Sequence, residues 1–137
     1  MHAHASWLLL VFCLGWAASA HAAIAQAEQR FVLAPDESSA LSDIGLTVTF
    51  VSVIEDSRCP VGVSCVWEGD AAVRIRIDGA GVKPSIYTLH THGSTTGEIV
   101  HGDVRIRLIA LTPLPTADGP PRADDYRATL AARREKR

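Results

Sequence analysis

Apolar residues recur at every second position along several stretches of this chain, and a period of two is that of a strand with one covered and one wet face. Val73, Ile75 and Ile77 fall on one side of such a stretch, with Arg74, Arg76 and Asp78 on the other. Val104, Ile106 and Leu108 stand against Arg105 and Arg107 in the same way. Leu46, Val48 and Phe50 alternate with Thr47 and Thr49, and the run then drifts through Val51 to Ile54. Such a drift marks a β-bulge or a strand covered on both faces. Helical spacing is scarce, so the chain is constrained to an all-β fold.

Weaker segments extend the series. Phe31 and Leu33 share a face before Pro35-Asp36, Ile86 to His92 reads as a strand after Pro84, and Tyr126, Ala128 and Leu130 alternate near the end. Turns are marked by Asp78-Gly79-Ala80-Gly81, Gly93-Ser94-Thr95-Thr96-Gly97 and His101-Gly102-Asp103. Leu111-Thr112-Pro113-Leu114-Pro115 ends a strand, because proline cannot donate to a central ladder. About seven short antiparallel strands at this spacing predict one small β-sandwich or a partly open barrel. Residues 116–125, with two consecutive prolines, read as a flexible connector or a wrap along the sheet edge. Residues 133–137 read as a solvated basic tail.

The N-terminus carries a different signal. Trp7 to Gly15 is a short uncharged apolar run, followed by the small-residue stretch Ala17-Ala18-Ser19-Ala20-His21-Ala22. That arrangement predicts a signal peptide over residues 1–22, too short to span a bilayer, with Ala20 or Ala25 as alternative cleavage positions. The opening Met1-His2-Ala3-His4-Ala5-Ser6 lacks the usual Lys or Arg. Phe12 before Cys13 argues against lipid attachment there, since such cysteines follow a small residue. The expected product is a periplasmic or secreted domain over residues 23–137, with no transmembrane anchor. Its formal charge of −2 points to neither nucleic acid nor an anionic membrane as partner.

Removing that segment leaves two cysteines, Cys59 and Cys65, and an exported chain is expected to join them. Pro60 and Gly62 let so short a loop turn back. A ring this small stabilises the fold by about 2 kcal/mol in the chain-entropy account. A redox-active pair would sit as C-x-x-C at a helix N-terminus, and a zinc site would need two further ligands nearby. In the same segment Asp56 and Ser57 suit local turn hydrogen bonds, and Arg58 suits pairing with Asp56, Glu55 or Glu68. Trp67 is expected to pack over the disulfide as part of the core. The functional alternative makes Asp56, Arg58, Trp67 and Glu68 a preorganised contact surface, because Arg and Trp anchor interfaces.

The stretch Glu55-Asp56-Ser57-Arg58-Cys59-Pro60, the spacer, and Cys65-Val66-Trp67-Glu68-Gly69 resemble the E-D-S-R-C-P…C-x-W-x-G motif of a family of small bacterial secreted proteins and lipoproteins without an assigned function. The resemblance extends to Phe31–Leu33 and to Leu111–Pro115. It implies a compact β domain outside the cytoplasm and no particular reaction. Glu68 stands where the family pattern leads one to expect a small residue.

His90 and His92 are spaced to share a strand face, and His101 follows the glycine-rich turn. If that strand pairs with the one from Gly102, the three imidazoles converge into a surface copper or zinc site. Otherwise no cofactor is expected. G-x-S-x-G, H-E-x-x-H, a phosphate-binding glycine loop and a free cysteine nucleophile are all lacking in the mature chain, so no enzyme is expected. The leading expectation is therefore a non-catalytic binding or structural module, its partner another extracytoplasmic protein and its oligomeric state open. The alternatives are a periplasmic metal-binding protein, and a protease-inhibitor-like protein presenting Pro60–Ser64 as a rigid strand.

Overall fold

The computed structural model describes residues 27–92 and 97–135. The expected signal segment, most of the Gly93–Gly97 turn and the last two residues of the basic run lie outside the described residues.

Among the described residues, eight strands form two antiparallel four-stranded sheets. In chain order they are β1 Gln29–Leu33, β2 Ser38–Leu41, β3 Leu46–Asp56, β4 Ala71–Gly79, β5 Val82–His90, β6 Glu98–His101, β7 Val104–Thr112 and β8 Arg127–Arg134. One sheet runs β1-β8-β7-β6 and the other β2-β3-β4-β5. The sheets stay separate, so the domain is a sandwich and not a barrel.

The alternating positions do what their period requires. Val48, Phe50, Val73, Ile75, Ile77 and Leu89 face inward from one sheet and meet Leu33, Val104, Ile106, Leu111, Ala128 and Leu130 from the other. Each fully buried large aliphatic or aromatic side chain contributes roughly 1.5–3 kcal/mol relative to exposure. The drift after Phe50 is a pair of register shifts against β4, between Phe50 and Ser52 and between Val53 and Glu55. Bulges of this kind turn the end of β3 and re-aim Asp56.

Two of the eight strands are not among the segments that the alternation marks. β2 and β6 have four residues each and lie at sheet edges, where short strands limit edge-to-edge pairing. β5 begins before Pro84, which an edge strand tolerates because its missing N–H points to solvent. The basic run is no tail at its start, because Arg133 and Arg134 complete β8, an inner strand between β1 and β7. Arg134 donates to Asp103 at 2.6 Å. The 116–125 connector holds the Thr116–Gly119 bridge and a short 3₁₀ turn, Ala123–Asp125.

Candidate functional site

The segment between β3 and β4 leaves the sheet through a clasp and returns through it. Ser57 N–H donates to the Asp70 carbonyl at 2.7 Å, and Cys59 N–H donates to the Glu68 carbonyl at 3.0 Å. The Ser57 hydroxyl donates to Asp70 O at 3.0 Å and accepts from Asp70 N–H at 3.2 Å. Gly69 makes the close approach possible. Its φ is +70°, and a Cβ there would lie 1.9 Å from the Ser57 carbonyl oxygen.

Above the clasp, Cys59 and Cys65 form the expected disulfide, with Cα atoms 5.9 Å apart. Within the ring Val63 N–H donates to Pro60 O at 3.2 Å, and Gly62 has φ +78°, the value of the third residue of a type II turn. The ring is thus a tight turn and not the rigid strand that an inhibitor loop would present. Val61 N–H donates to Pro115 O at 2.9 Å and seats the loop on the β7–β8 connector.

Asp56 and Arg58 are not surface residues. Arg58 is only 8% exposed, and its Nε and terminal nitrogen grip the two Asp56 carboxylate oxygens at 2.7 and 2.6 Å. The guanidinium also donates to the carbonyls of Leu111 and Pro113. Tyr126 hydroxyl donates to Asp56 Oδ2 at 2.9 Å. Burial by itself would raise the Asp56 pKa, but the hydrogen bonds from Arg58 and Tyr126 outweigh it and hold the carboxyl below its ordinary value. Burial and the hydrogen bond to Asp56 push the Tyr126 phenol up to about 12. This network ties the ends of β3 and β7 to the start of β8.

Trp67 departs furthest from expectation. Arg58 and Tyr126 are buried beneath the corner, and Trp67 stands 81% exposed instead of packing over the disulfide. Val66 is 90%, Val61 61% and Val63 45% exposed on the same loop. Every residue from Val61 to Glu68 is exposed. Of the four residues expected to form a contact surface, Trp67 and Glu68 face solvent while Asp56 and Arg58 support the loop from within.

The three histidines do not converge. β5 pairs with β4, and the strand from Gly102 belongs to the other sheet. His101 is fully buried, with Nδ1 3.0 Å from the Tyr87 hydroxyl and Nε2 3.3 Å from the Gly79 carbonyl. A carbonyl only accepts, so Nε2 carries the proton and Tyr87 donates to Nδ1. His90 Nδ1 bonds Asp70, and His92 Nδ1 lies 2.9 Å from Glu68 Oε2. Asp70 also accepts from His92 N–H at 2.9 Å and from the Thr91 hydroxyl at 3.1 Å. Burial opposes ionisation of Asp70, yet these hydrogen bonds hold its pKa below the ordinary value. His90 and His92 therefore latch the returning arm of the loop to the end of β5. Among the described residues, no group of three or more His, Cys, Asp and Glu is arranged to hold a metal.

An open groove of about 320 Å³ runs beside the loop, lined by Arg58, Cys59, Glu68, Gly69, Thr91, His92 and Leu114. Sequence reasoning singled out Val61 and Val63 only as part of an inhibitor-like Pro60–Ser64 strand, and passed over Val66 and Leu114 as exposed apolar residues. The signal for the loop was available, because no residue from Cys59 to Trp67 carries a charge. Comparison with known proteins finds no match: no family model, no curated protein and no solved structure resembles this chain.

Proposed function

We propose that the chain is exported, loses residues 1–22, and works as a non-catalytic binding module whose contact surface is the outer face of the loop Val61–Glu68. The apolar run ending in small residues supports export, and the joined Cys59 and Cys65 suit an oxidising compartment. One observation carries the binding reading. Val61, Val63, Val66 and Trp67 are held out in solvent on a loop fixed by a disulfide, a clasp and a seated turn. Large apolar side chains gathered in one exposed place mark contact sites, and a loop already rigid loses little entropy on binding.

Photo-crosslinking in the producing cell tests the reading. A photoreactive residue at position 67 is expected to yield a covalent adduct. The same residue at Val82, also exposed but on β5, is expected to yield none. Absence of an adduct at 67, or equal adducts at both positions, overturns it.

A further inference from the structure

The same loop narrows what it touches, given that it is the contact surface. We propose that its tip inserts into the headgroup–acyl boundary of an electrically neutral lipid surface.

Three observations favour lipid over a protein partner. The tip is small, with seven consecutive exposed residues from Val61 to Trp67, whereas a stable protein interface takes roughly 20–30 residues a side. Its chemistry lacks recognition groups. Between Pro60 and Trp67 only the Ser64 hydroxyl and the Trp67 indole offer side-chain hydrogen bonds, against about ten across a typical protein interface. Valine is under-represented among interface hot spots, and tryptophan suits the membrane–water boundary as well as it suits a protein interface.

Part of the loop's backbone is already satisfied. Cys59, Val61 and Val63 N–H groups have internal partners in Glu68, Pro115 and Pro60, and the other N–H groups of the tip can bond headgroups and water at the boundary depth proposed, where water is still present. The disulfide holds the turn in shape, so insertion requires little ordering.

Charge then chooses the lipid. From Cys59 to Trp67 there is none, so nothing draws the tip to an anionic surface. Behind the tip stands a mostly acidic collar at the same end of the sandwich. Glu55, Glu68, Asp118, Asp124 and Asp125 are exposed there, against Arg122 and Arg127. Such a collar stops insertion at the tip and disfavours anionic headgroups.

Flotation of the full chain with vesicles tests this, using phosphatidylcholine alone and phosphatidylcholine with about 30% phosphatidylglycerol, a fraction sufficient to give a negative surface potential. The variants are V66S/W67S and, as a control on another apolar surface residue, V32S. All share the apolar N-terminal run, so the difference between them reads the loop. Unfolding midpoints confirm that each variant is folded.

Wild type and V32S are expected to float with phosphatidylcholine, and V66S/W67S to lose about tenfold or more in partitioning. Phosphatidylglycerol should not strengthen binding, and raising salt from about 0.05 to about 0.5 M should not weaken it. Equal flotation of wild type and V66S/W67S, no flotation, or binding that needs phosphatidylglycerol and fails in salt overturns the proposal. A protein adduct at position 67 without vesicle binding also overturns it, yet leaves the binding-module reading standing. Loss of the adduct removes both.

Discussion

Arg58 and Asp56 meet through two nitrogen–oxygen contacts of 2.7 and 2.6 Å, almost wholly out of solvent, directly beneath the exposed loop. The motif's charged pair is thus the footing of the loop, and the loop's apolar residues are what the domain presents.

Breaking that pair leaves a buried charge without its partner, which costs about 3–5 kcal/mol. Arg58→Ala and Asp56→Asn are each expected to destabilise the domain by that amount at neutral pH, measured by denaturant unfolding. The double variant should cost clearly less than the sum, because each single change abandons the same partner.

The acid limb of stability follows from Asp56. Its folded pKa lies below the ordinary value of 3.8, so the pair's contribution is present above that value. It disappears as pH falls through the lower folded value. The stability gap between wild type and Asp56→Asn should narrow below about pH 3.8. A gap that stays constant on acidification would contradict the assignment.

At the alkaline end the sign reverses. Tyr126 has a folded pKa raised from 10.0 to about 12, so its contribution is whole below the unfolded value and is lost as pH rises toward the folded one. Absorbance at the phenolate band should show one of the two tyrosines titrating near 12. Tyr126→Phe should remove that step and flatten the loss of stability above about pH 10.

Gly69 and Gly62 separate close approach from conformation alone. Gly69→Ala collides with backbone at 1.9 Å and is expected to cost more than about 3 kcal/mol and open the clasp. Gly62→Ala meets no atom within 4 Å, so only its positive φ is penalised, at about 1 kcal/mol. Thermal unfolding of the two variants should rank them in that order.

Trp67→Ser and Val66→Ser should change stability by no more than about 0.5 kcal/mol, since neither side chain is packed. Phe50→Ala, in the core, should cost about 3–5 kcal/mol. Unfolding of the domain by Trp67→Ser would show that the corner is held together by the indole after all.

The sequence by itself determined the all-β class, the strands around Val48, Val73 and Val104, and the joining of Cys59 to Cys65. Strict alternation admits one face only, and the two cysteines lie close enough in sequence to pair. It was silent on β2 and β6, which are too short to display a period. It hid the inner place of β8, where Ala128, Ala131 and Ala132 are buried though alanine is a weak strand former. Tertiary structure alone decided which motif residues face inward. Arg58 reaches partners more than fifty residues away, at Leu111 and Pro113, and is buried beneath the corner while Trp67 stands in solvent. His101 is separated from His90 and His92 for a similar reason: strand pairing sends β5 and β6 to different sheets, a choice made by long-range contacts that local spacing does not encode.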